Sequence, residues 1–141
     1  MAEGLQAFWG GFADMDQTCG TIGAMYHEEG YLLDTHTAVA YKVYQDYRAQ
    51  TGDSTPAVIA ATASAYKFSD SVADAIGIGK GTDGFDSVRK LQAETGVPVP
   101  SGLAGLEDKP VRHKQVVDAD DMLVAIADTE GLNALADLAR G

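Results

Sequence analysis

Residues 56–71 read PAVIAATASAYKFSDS, and the fold turns on how they are read. Ala57, Val58, Ile59, Ala60 and Ala61 form an uninterrupted apolar run after the turn formers Gly52, Asp53, Ser54 and Pro56. A short apolar run bounded in this way is the pattern of a strand buried on both faces. Strands of that kind lie inside α/β sheets, so the expected fold class is α/β, with helices packed on a short, mostly parallel sheet. Ligands of such sheets bind where strands pass into helices, because backbone donors and side chains converge there. Thr62, Ser64 and Lys67 close the run, ahead of a helix expected from Ser69 or Asp70 to about Ile76. They are expected beside any small molecule this chain handles.

Upstream, Asp34 and Thr35 can cap a helix reaching about Gln50, with Ala40, Val43, Tyr44 and Tyr47 as its buried stripe and Thr51-Gly52 as its end. Before it, Asp14 or Asp16 can cap a helix that runs to about Glu29 and stops at Gly30. Met15, Cys19, Ile22, Met25 and Tyr26 share one face of that helix. Gly20 and Gly23 lie inside it, where each costs about 1 kcal/mol relative to alanine, so a close neighbour packed against them is the expected compensation. The opening residues Met1 to Phe12 carry Phe8, Trp9 and Phe12, an aromatic density too high for a free tail.

Downstream, the glycines of GIGKG (residues 77–81) end a helix instead of beginning one. A phosphate loop needs strand, glycines and helix in that order, so this segment reads as a linker. Asp83 to Glu94 is a further helix with Phe85, Val88 and Leu91 facing inward and Gly96 as its stop. VPVPSGLAGLEDKP is irregular, with at most one helical turn at Leu103 to Leu106, and Val111 to Val117 reads as an edge strand. Asp118, Asp120 and Asp121 begin a terminal helix with Leu123, Ala127, Leu132, Leu135 and Leu138 on its apolar side, broken near Gly131.

The 141 residues, 45% hydrophobic, suffice for a single domain with one core. Ten basic against 21 acidic residues give a net charge of −11, which repels nucleic acid and anionic membranes. No apolar run approaches a membrane span and the N-terminus has no secretion-signal pattern, so a soluble cytoplasmic protein is expected. Cys19 is the sole cysteine, which excludes an internal disulfide, and it reads as a small hydrophobe on a helix.

Among titratable groups His36 is the most suggestive, in the first turn of a helix whose positive end disfavours an imidazolium. His27 and His113 lack any ligand spacing with it, so no metal site is expected. Glu28-Glu29 and Asp120-Asp121 read as solvated helix faces and caps, and Lys109, Arg112, His113 and Lys114 as a local basic counterweight. No nucleophile elbow, Cys/His pair or Walker loop is present.

FWGGFAD (8–14), EEGYLLDTHTAVAYKVYQDYRAQTGD (28–53), ATASAYKF (61–68) and the later VPVPSGLAGLEDKPVRHK together resemble the C-terminal part of the threonine synthases. The resemblance covers nearly the whole chain. It implies a fold type II pyridoxal-phosphate enzyme as parent, one that converts O-phosphohomoserine and water to threonine and phosphate. It further implies Thr62, with Ser64 beside it, near the pyridine nitrogen of the cofactor, where a neutral hydroxyl donates without protonating the ring. Asp34 and His36 would line the same crevice with Lys67.

The chain departs from the family at Ala65, where a proline is common. It also has no match to the family's Schiff-base lysine or glycine-rich phosphate loops. Residues 1–141 are therefore expected to be a C-terminal portion that neither anchors pyridoxal phosphate covalently nor catalyses alone, with no catalytic residue of its own. Its expected partner is the missing N-terminal portion, or a second copy through an apolar face that includes Trp9 and the tyrosine-bearing helices. The alternative is a non-catalytic binding or interaction module that docks on such a portion.

Overall fold

The computed structural model describes residues 7–112 and 114–129, and the side chains of the last helix through Ile126. Among the described residues there are α-helices and 3-10 turns but no strand. The helices are α1 (Met15–Glu29), α2 (Thr35–Thr51), α3 (Ser69–Ala75), α4 (Gly84–Thr95) and α5 (Met122–Thr129), with a 3-10 helix over Ala65–Phe68 leading into α3.

This overturns the α/β expectation. Residues 57–61 are irregular, Val58 is 98% exposed, and residues 111–112 and 114–117 of the expected edge strand are irregular as well. A strand closes its backbone hydrogen bonds only on a neighbouring strand. With no second extended segment alongside it among the described residues, the apolar run has nothing to pair with.

The chain divides into two compact units, residues 1–107 and 108–141. In the first, α1 packs on α2 and α3, and α3 packs on α4. Ile22, Val72, Ala38, Ala73 and Leu91 are fully buried, and Leu33, Ala65, Tyr66 and Ile76 complete the core. The Tyr66 hydroxyl donates to the Val97 carbonyl, tying the 3-10 helix to the chain beyond α4. In the second unit a 3-10 turn at Ala119–Asp121 precedes α5, which leaves Met122, Leu123 and Ile126 exposed. The Ala127 side chain and the expected break and leucines from Gly131 onward lie outside the described residues.

Each helix start in the first unit with an aspartate before it is capped by that aspartate. Asp14 accepts from Gln17 N at 2.8 Å while Gln17 Oε1 accepts from Asp14 N, a reciprocal capping box. Asp83 accepts from Asp86 N at 2.8 Å. Gly30 ends α1 in the left-handed conformation, φ 67°. At the start of α4, Thr82 N–H donates to Asp86 and holds that carboxyl below its ordinary range.

Residue by residue, the inward faces differ from the apolar stripes expected. Ala40 and Met15 are exposed, whereas Thr37 and Ala38 carry the buried side of α2, and Thr18, Thr21, Ile22 and Gly23 that of α1. On α4 the buried positions are Leu91 and Ser87, with Phe85 exposed. Ser87 Oγ donates to Asp70 Oδ1 at 2.5 Å and accepts from Gly81 N at 2.7 Å, so this serine pins α3, α4 and the glycine linker together. Cys19 is half-buried.

The C-terminus of α2 carries a polar clasp. Tyr47 Oη donates to Asp53 Oδ2 at 2.6 Å, Thr55 N donates to Asp53 Oδ1 at 2.8 Å, and the Trp9 ring stands edge-on to Tyr47 at 5.2 Å. The Thr55 and Tyr47 hydrogen bonds lower the Asp53 carboxyl from 3.8 to about 2, and the same bond raises the Tyr47 hydroxyl above 10.0. A depressed carboxylate contributes stability that is present above pH 3.8 and lost as pH falls toward 2. Trp9 is the sole tryptophan, so its fluorescence should change on acidification across that window and the change should vanish in Asp53→Asn. An unchanged transition in the variant would show that the clasp is not what titrates.

Candidate functional site

Two open pockets flank the 3-10 helix at Ala65–Phe68. The first, about 430 Å³, lies where the N-termini of α1 and α2 meet the end of that helix. Asp14, Met15, Thr35, His36, Val39 and Phe68 supply most of its wall. His36 stacks at a tilt on Phe68, ring centroids 4.9 Å apart, and its side chain is 65% exposed. Its Nδ1 is 3.4 Å from Thr35 Oγ1 and 3.6 Å from Asp34 Oδ1.

Asp34 is buried beneath that histidine as the N-cap of α2. Its Oδ1 accepts from His36 N at 2.9 Å and Thr37 N at 3.2 Å, and its Oδ2 accepts from the Thr37 hydroxyl. The carboxylate thus fixes the backbone that carries His36. Both helix N-termini at this pocket have donors already engaged by aspartates, Gln17 N by Asp14 and the N–H groups of His36 and Thr37 by Asp34. Part of the backbone donors that attract a phosphate at a helix start is therefore in use here. The wall suits an apolar group with one polar edge facing His36.

The second pocket, about 450 Å³, is lined by Tyr66, Lys67, Phe85, Val88, Leu103 and Leu106 among others. Lys67 is its cation, exposed, with its ammonium 5.7 Å from the Phe68 ring centroid. The five residues singled out in the sequence are accordingly spread. His36 lines the first pocket, Asp34 supports it from below, and Lys67 borders the second. Thr62 is exposed and borders neither, and Ser64 Oγ accepts from Tyr66 N at 3.3 Å as the cap of the 3-10 turn.

Phe68 was not singled out as a pocket residue. It stands one position beyond Lys67 at the close of the same motif, and an aromatic between a lysine and a helix start was the available signal. Among the described residues no group of His, Cys, Asp and Glu side chains could hold a metal ion. No helix among them is long and apolar enough to cross a membrane.

Residues 37–126 match the family model described as threonine synthase, C-terminal. The chain belongs to that family. The match begins one residue after His36 and includes Thr62, Ser64 and Lys67, so both pocket-flanking segments border or fall within it. No curated protein matches the chain.

Pyridoxal phosphate, the cofactor the family resemblance implies, would by that resemblance take a hydroxyl at the ring nitrogen, and it would need donors for its phosphate. In this chain Thr62 stands apart from both pockets, the Ser64 oxygen accepts from Tyr66 N as a cap, and aspartates engage Gln17 N at one helix start and His36 N and Thr37 N at the other. These residues do not fit the cofactor as one cradle, and no chemical step through it follows from them.

Proposed function

We propose that the chain is the C-terminal portion of a threonine synthase, a lyase of threonine biosynthesis that acts on O-phosphohomoserine. In this reading it supplies part of the substrate pocket, while the pyridoxal phosphate and its Schiff-base lysine come with the N-terminal portion. The observation that carries the reading is the family match across residues 37–126, which takes in the ATASAYKF segment. His36 offers a ring edge on an apolar wall held by Asp34, and Lys67 an exposed ammonium for an anionic substrate group.

The test is to mix the chain with the N-terminal portion of a threonine synthase and follow phosphate release from O-phosphohomoserine. No turnover is expected from the chain alone, and release is expected on mixing. Lys67→Ala in the mixture should raise KM about tenfold, as loss of roughly 1.4 kcal/mol of binding requires. Turnover by the isolated chain, or none after mixing, would count against the proposal.

A second reading, a non-catalytic module that docks on that portion, is favoured by one observation. Phe8 and Phe12 are 76% and 82% exposed beside the half-exposed Trp9, an apolar patch of the kind that marks contact surfaces. Binding to the N-terminal portion without restored turnover would select it.

A further inference from the structure

The second pocket is built by three stretches of the first unit. Lys67 and Ser69 come from the 3-10 helix and the start of α3, Phe85 and Val88 from α4, and Leu103 and Leu106 from the irregular segment that follows α4. That segment is a strap tied at both ends. The Tyr66 hydroxyl donates to the Val97 carbonyl, and Arg89 Nη1 on α4 donates to Glu107 Oε2 at 2.7 Å. Between the ties Leu103 packs on the core and Leu106 is left 41% exposed. The volume, about 450 Å³, falls inside the range of about 300–1,000 Å³ found for pockets that take small organic molecules.

The polar groups of the lining narrow the kind of molecule. The Tyr66 and Ser69 hydroxyls donate within the fold, Ser69 to the Gly84 carbonyl at 3.1 Å. Asp83 accepts from Asp86 N at the positive end of α4, which offsets its charge. Lys67 is left. Among the described residues no carboxylate pairs with its ammonium, whereas Lys42 pairs with Asp46 and Arg89 with Glu107. An unpaired ammonium at the edge of an apolar pocket attracts one negative charge. A carboxylate would be neutralised one for one. A phosphate dianion would keep a second charge against hydrocarbon without a partner, and burial makes that costly.

We propose that the second pocket binds a small carboxylate with a hydrocarbon body, the carboxylate on Lys67 and the body against Phe85, Val88, Leu103 and Leu106. Such binding is a property of the chain alone. It does not rest on the reading above, in which the same ammonium meets an anionic substrate group.

Phenylbutyrate is the probe, titrated into the full chain while the valine and leucine methyl signals are followed by NMR. The Val88, Leu103 and Leu106 methyls should shift together and saturate. Lys67→Met keeps the apolar stem and removes the charge. It should weaken phenylbutyrate about fivefold, near the upper limit for an exposed ion pair, and leave binding of the uncharged phenylbutanol as it was. Leu106→Glu should weaken phenylbutyrate by roughly tenfold through like charge. Because Leu106 is partly exposed, the helical circular dichroism of that variant should stay at the wild-type value, which separates a lost site from a lost fold. Glu107→Gln loosens one end of the strap and should weaken both probes alike.

Absent or unsaturable shifts at these methyls would overturn the proposal. So would phenylbutylamine binding as tightly as phenylbutyrate, or a Lys67→Met variant that binds phenylbutyrate undiminished. Shifts centred on Val39 would put the probe in the first pocket and overturn it as well.

Discussion

Gly23→Ala should destabilise the first unit by about 1–3 kcal/mol, the range for forcing an extra methyl into a packed site. A Cβ at this position would stand 2.6 Å from the Ala75 carbonyl oxygen, closer than real Cβ contacts come. That oxygen belongs to the last residue of α3, whose preceding residues Val72 and Ala73 are fully buried, so backbone and not a pliable side chain must give way. Gly20 provides the control on the same helix, with nothing within 4 Å of its would-be Cβ. Gly20→Ala should stabilise by about 1 kcal/mol through helix propensity alone. Thermal unfolding of the two variants should move in opposite directions. Parallel shifts would mean that α1 and α3 do not meet at Gly23.

The contrast between the two glycines shows what a sequence can and cannot disclose. Both were read as costly to α1 and in need of a close neighbour, but only the tertiary structure tells them apart. The helix ends were legible, because a cap is a matter of a few consecutive residues. Of the paired candidates Asp14 and Asp34 are the caps, Asp83 caps α4 where it was expected as that helix's first residue, and Gly30, Gly52 and Gly96 stop their helices.

The sheet was misread for the opposite reason. An apolar run records a preference for burial, whereas a strand exists only through partners elsewhere in the chain, and residues 57–61 have none among the described residues. The inward faces were misjudged at polar positions. Thr37 and Ser87 are buried because aspartates accept from their hydroxyls, and a count of apolar residues at helical spacing passes over such pairs. At the candidate site, His36 was legible from its place in the first turn. The separation of Lys67 from it by the turn of the 3-10 helix was not.

Asp34→Ala is expected to be as damaging as Gly23→Ala, and for a reason that reaches the pocket. The substitution removes the N-cap of α2, about 0.5–2 kcal/mol by itself. It also strands the buried Thr37 hydroxyl, which donates to the lost carboxylate, at a further cost of about 1–3 kcal/mol. Replacing Thr37 as well should recover that second part, so Asp34→Ala/Thr37→Val should be more stable than Asp34→Ala alone. Asp34→Asn keeps an acceptor for the His36 and Thr37 N–H groups and should fall between wild type and Asp34→Ala in denaturant midpoint. With the first turn of α2 released, the His36 ring loses its fixed approach to Phe68, 4.9 Å between centroids in the folded chain. Amide exchange at His36 and Thr37 should therefore rise in Asp34→Ala while exchange at the far end of α2 stays slow. Uniform exchange along the helix would show that Asp34 is dispensable to this end of the pocket, and a double variant no better than the single one would show that the threonine hydroxyl finds another partner.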